Sequence, residues 1–71
     1  MNYEVIASYK VLENRWLLLA KQEWNTIHPF VTWMADAPDG KGPAGRYWGH
    51  YCETEEEGRY SFAERLKMYI G

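Results

Sequence analysis

Arg46-Tyr47-Trp48-Gly49-His50-Tyr51-Cys52 decides how this chain reads. Three large aromatic side chains surround a glycine. Glycine inside a strand-like run weakens it, unless a neighbouring group must approach the backbone closely there. Before the run lies a loop, Asp36 to Gly45, and after it an acidic segment, Glu53 to Glu57. That placement makes the run the last strand of a small sheet, feeding a C-terminal helix.

Downstream, Thr54-Glu55-Glu56-Glu57 has Thr at the N-cap and Glu three residues on, a capping box. Carboxylates there also suit the positive end of the helix dipole. Gly58 is a flaw in such a helix, costing about 1 kcal/mol against Ala. A second capping box, Ser61-Phe62-Ala63-Glu64, offers a later start. Either start leaves Phe62, Ala63, Leu66, Tyr69 and Ile70 on one apolar face, expected to pack on the sheet.

Upstream, the Asp36–Gly45 loop holds Pro38, Pro43, Gly40, Gly42 and Gly45. A loop of this kind is either a recognition element or a loose hairpin tip, and the tip is the commoner case. Phe30-Val31-Thr32-Trp33-Met34-Ala35 is β-branched and aromatic, hence a third strand. Pro29 pushes His28 towards extended backbone in the preceding connection. Trp16-Leu17-Leu18-Leu19-Ala20 is continuously apolar and suits a central strand covered on both faces. Leu and Ala also favour helix. The strand is preferred because Glu13-Asn14 reads as a tight turn, with Asn able to take the left-handed conformation. The turn makes a hairpin with the first strand, where Tyr3, Val5, Ala7, Tyr9 and Val11 recur with period two.

The fold expected is therefore α+β. A four-stranded antiparallel β-meander precedes one C-terminal α-helix packed on one sheet face, in a single domain over residues 1–71. With 71 residues the chain is near the lower limit for folding without disulfides or metals. Cys52 is the one cysteine, so no internal disulfide is available. The core must come from the rings, which make up 17% of the residues and bury much area each. One helix covers one face only. The other face is then expected to carry several of Trp16, Trp24, Trp33, Trp48, Tyr47 and Tyr51, as a binding surface or a dimer interface.

Eight basic and ten acidic residues give a net charge of -2, which disfavours a dedicated nucleic-acid binder. No apolar run approaches the roughly 20 residues of a membrane span, and Glu4 interrupts any signal-peptide pattern. A cytoplasmic protein with a free thiol is the plain expectation.

Catalytic constellations are weak. His50 and Cys52, two apart on a strand, face the same side. A Cys–His nucleophile needs a third, orienting group, and Glu53 points the other way. A partly buried Cys beside His is the simpler reading. His28, His50 and Cys52 lack a zinc spacing. The glycines from Gly40 to Gly45 are not followed by the Lys-Ser/Thr pair of a phosphate loop. No catalytic, cofactor-binding or metal-binding residues are expected, and no enzyme.

His28-Pro29-Phe30-Val31-Thr32-Trp33, the turn-rich loop, and Tyr47-Trp48-Gly49-His50-Tyr51 before an acidic helix start resemble a group of small proteins from phages and mobile elements. The resemblance covers residues 28 to 66, and Gly58 departs from the pattern. Small phage proteins of this size include inhibitors of bacterial immunity of the anti-CRISPR type, which act by binding. The resemblance implies that class and carries no known functional residues.

Two functions follow as expectations. The first is a binding inhibitor that occludes the nucleic-acid-binding surface of a host defence complex, a protein or ribonucleoprotein with a basic surface. An acidic edge would be steered to such a surface. The candidate edge is Glu53, Glu55, Glu56 and Glu57, with Asp36 and Asp39 adjoining, and Tyr47 and Trp48 as anchors. For the glutamates, helix capping and solubility are the plainer roles. The second is a small nucleic-acid-binding or regulatory module that stacks bases on sheet aromatics. Arg15, Lys21, Lys41 and Arg46 would supply its charge.

Overall fold

The computed structural model describes residues 2–70. Four strands, β1 (Tyr3–Leu12), β2 (Arg15–Gln22), β3 (Phe30–Ala35) and β4 (Arg46–Cys52), precede one helix, α1 (Glu55–Ile70). The strands form one antiparallel sheet in the order β1-β2-β3-β4, with α1 against it. The α+β meander read from the sequence is the architecture observed. Asn14 takes the turn between β1 and β2 with φ 54°, the left-handed conformation that Asn tolerates.

β2 is a central strand, and Leu17, Leu18, Leu19 and Ala20 are wholly buried. Alternation sends Leu17 and Leu19 to the helix side, with Thr32 and Met34 of β3. Leu18, Ala20, Val31, Trp33 and Ala35 form a second cluster on the opposite face, with Tyr3 and Trp16 packed against it.

Three expectations are corrected by the packing, and one alternative is decided. The Asp36–Gly45 loop is not a loose tip. It folds back over the face that α1 leaves open, where the Tyr3 hydroxyl donates to Asp39 O at 2.7 Å. Arg46 spreads its guanidinium over the Tyr3 ring at 4.4 Å and the Trp33 ring at 4.8 Å. Its Nη1 also donates to the Tyr3 hydroxyl at 3.2 Å. Gly40 is buried beneath this lid with φ 76°, and a Cβ there would stand 2.9 Å from the Tyr3 hydroxyl. Cation–π contacts at such a half-open place are worth about 0.5–1 kcal/mol each.

The second correction concerns the aromatics of that face, which are not left uncovered as a set. Trp33 is buried and Trp16 half-buried. Trp24 lies in the turn after β2 rather than on the sheet. Tyr47 stands opposite Met34 and so belongs to the helix side. Tyr51, opposite Val31, is the β4 ring that stays exposed on the open face.

Thirdly, the helix uses only part of the apolar stripe expected of it. Its buried residues are Gly58 and Ser61, with Phe62, Arg65, Leu66 and Tyr69 half-buried, while Ala63 and Ile70 are exposed. Helix and sheet approach so closely at Gly58 that a Cβ would lie 3.0 Å from Leu19 Cδ1 and 3.2 Å from Phe30 Cβ. The residue taken as a flaw is therefore the point of contact. Lastly, the helix starts at the first capping box. Glu57 N–H donates to Thr54 Oγ1 at 3.1 Å, and Thr54 N–H donates to Glu57 Oε1 at 3.2 Å. Ser61, the start of the other box, lies inside the helix facing the sheet.

Candidate functional site

A groove of about 780 Å³ runs between β4 and the N-terminal half of α1. β4 lies at the edge of the sheet because the meander ends there, and α1 doubles back beside it after only Glu53 and Thr54. The groove's acidic groups are Glu53, Glu56, Glu57 and Glu64, and its rings are Tyr60 and His50, with Tyr51 beside them in β4 but its ring on the open face. Arg65, the one Lys or Arg among its lining residues, is half-buried, and its Nη1 donates to Thr32 O at 3.1 Å and to Thr32 Oγ1 at 2.9 Å. Burial lowers the Arg65 pKa, against a smaller opposing effect of Tyr69. Arginine remains charged regardless. Its charge is thus spent on the sheet, and the rim of the groove is negative.

A chain of hydrogen bonds lies under this groove. Thr32 Oγ1 and Ser61 Oγ are 3.3 Å apart, and Ser61 Oγ and His50 Nδ1 2.8 Å. Arg65 has only protons to give, so Thr32 Oγ1 accepts from it. The chain is consistent when Thr32 donates to Ser61 and Ser61 donates to His50 Nδ1. Ser61 and His50 meet as a nucleophile and base would. Ser61 is however buried, already engaged by Thr32, and His50 has no orienting carboxylate among its described hydrogen bonds. The chain ties helix to sheet.

Cys52 faces the helix as His50 does, both opposite β3 residues of the helix side. It is buried, and burial followed by the nearby Glu57 charge pushes its thiol pKa up. A nucleophilic cysteine needs the reverse shift. Among the described residues, no three His, Cys, Asp or Glu side chains are grouped as a metal would require.

The candidate contact residues do not all meet. Glu53, Glu56 and Glu57 line the groove, whereas Glu55 turns to Arg59 at 2.8 Å on the exposed helix surface. Glu57 is also occupied by the cap, while Glu53 and Glu56 have no hydrogen bond or ion pair among the described residues. Asp36 and Asp39 do not adjoin the glutamates. They belong to the loop over the opposite face, where Asp36 Oδ2 accepts from Ala44 N–H at 3.0 Å and Asp39 Oδ1 from Lys41 N–H at 2.9 Å. Their carboxylates brace that loop. Tyr47 and Trp48 also lie outside the groove, edge to face at 5.1 Å. Trp48 is exposed, with φ 55° at a register shift in β4 and its ring 5.8 Å from the Arg15 guanidinium.

Sequence reasoning missed Tyr60, Glu64 and Arg65. Tyr60 and Glu64 are four apart on α1, so one helix face presents both. That spacing is legible, but which face meets the groove depends on Gly58.

No protein-family model, no curated protein and no solved structure matches the chain. Among the described residues no helix is long and apolar enough to cross a membrane.

Proposed function

We propose that this chain is a small binding protein that uses the acidic groove between β4 and α1 to dock on a basic surface. The partner class is a host defence complex whose nucleic-acid-binding surface is occluded, as the sequence resemblance to phage and mobile-element inhibitors implies. It acts by binding, in the cytoplasm of the host cell. The observation that carries this reading is Glu53 and Glu56 standing exposed, without internal partners, on one groove. Glu55 and Glu57, by contrast, are engaged by Arg59 and by the helix cap.

Base stacking on the sheet is the weaker alternative. Trp33 lies under Tyr3 and Arg46, so the ring best placed to stack a base is covered. Of the basic residues that would serve it, Arg15 and Arg46 lie against rings of the protein.

The test is the double variant Glu53→Lys, Glu56→Lys against wild type, on the partner recovered from host lysate. Stability should fall by about 1 kcal/mol, through the lost helix-dipole interaction, since neither side chain has a described partner. Association should slow at least tenfold at low salt, and wild-type association should itself slow as salt rises. Equal association rates at low salt would remove the groove from the interface.

A further inference from the structure

We infer that the groove takes an extended basic segment of a protein partner, added as a fifth strand along the outer edge of β4. This rests on the proposed function and specifies its partner. Gln22 N–H donates to Pro29 O at 2.7 Å. Bonded and non-bonded residue pairs alternate along an antiparallel ladder. Lys21 and Phe30 are therefore a non-bonded pair, so Phe30 turns its backbone groups towards Cys52 of β4. Thr32 does the same towards His50. Tyr51, between them, turns its N–H and C=O away from the sheet, and no described residue pairs with that edge.

The two edges of the sheet differ. β1 carries exposed Glu4 and Lys10 and two register irregularities, which keep an edge from pairing. β4 has its irregularity at Trp48, and from Gly49 to Cys52 it has neither a bulge nor Lys, Arg or Pro. An added strand lies about 4.8 Å from its neighbour and points alternate side chains to each face. Those on the helix side enter the space beside Glu53, Glu56 and Tyr60, while Glu64 is already paired with Lys67 at 3.0 Å. Lys or Arg at alternate positions meets carboxylates there, and their stems meet the Tyr60 ring. A second copy of this chain is the wrong occupant. Pairing β4 with β4 would set the same glutamates of two copies against each other.

The probe is a blocked heptapeptide of alternating Arg and Val, titrated calorimetrically into the wild type and two variants. Tyr51→Pro removes the outward N–H, which an edge strand tolerates. Tyr51→Ala removes the ring and keeps the N–H. The peptide should bind about tenfold more weakly to Tyr51→Pro than to Tyr51→Ala. Hydrogen exchange at the Tyr51 amide of the wild type should slow when the peptide binds, a readout that stands if Tyr51→Pro fails to fold. The same peptide with Glu for Arg should not bind. Equal affinities in the two variants, an unchanged Tyr51 amide, or no binding of the Arg peptide would overturn strand addition. So would a wild-type dimer with that amide protected before peptide is added. If Glu53→Gln, Glu56→Gln weakens the peptide while the Tyr51 amide stays unprotected, strand addition falls and the acidic docking surface stands. If the Lys variant leaves partner association unchanged, the docking surface itself falls.

Discussion

Gly58→Ala sets two effects of known size against each other. In an exposed helix interior this change gains about 1 kcal/mol. At Gly58 the new methyl would stand 3.0 Å from Leu19 Cδ1 and 3.2 Å from Phe30 Cβ. Carbon atoms prefer about 3.5–4.0 Å, so one side must yield by about half an ångström. Leu19 is wholly buried, and Phe30 Cβ is fixed to the backbone, which leaves the helix to move. Overpacking of this kind costs about 1–3 kcal/mol. A helix lifted at Gly58 also lengthens the Ser61–His50 and Arg65–Thr32 bonds one and two turns on, now 2.8 and 2.9 Å. We expect the net change to be destabilising by about 0–2 kcal/mol, and Gly58→Val to cost more than Gly58→Ala. The assay is urea denaturation, with Ala63→Gly at an exposed position of α1 calibrating the propensity term in this helix. If Gly58→Ala raises stability by as much as Ala63→Gly lowers it, the close approach does not govern this site.

Two other changes probe the remaining contacts. Gly49→Val would bring a Cβ within 3.0 Å of Trp33 Cδ1 and Nε1 and of Tyr51 Cε1. Because Trp33 is buried, stability should fall by more than about 1 kcal/mol, and a melting temperature at or above wild type would refute it. Cys52 tests the burial of β4 through its raised pKa. The folded chain holds the proton more tightly than the unfolded chain, so its contribution is fully present below the ordinary value of 9.0 and is lost as pH rises from there through the folded value. A thiol reagent at pH 8 should react slowly with the native protein and quickly in denaturant; equal rates would show an accessible thiolate.

Alternation, turn chemistry and capping are local, and they determined the strands, the Asn14 turn and the helix start. The continuous apolar run at Trp16–Ala20 demanded cover on both faces, and β2 is central for that reason. Local pattern also marked Glu53, Glu56 and Glu57 as acidic. Glu55 and Glu57 find their partners within the helix, which is local too. Only the tertiary structure set Glu53 and Glu56 on one groove, because the groove forms where α1 doubles back beside β4. Which face of α1 meets the sheet was not set by hydrophobicity either. The helix docks where Gly58 lets its backbone approach Leu19 and Phe30, and that brings polar Ser61 and Arg65 inward and leaves Ala63 and Ile70 outside. The loop behaves likewise. Its Gly and Pro residues announce irregular backbone, but Tyr3 and Arg46 pull it over Trp33 from positions 43 residues apart. Contacts between residues so distant in the chain depend on the packed sheet, and no local period carries them.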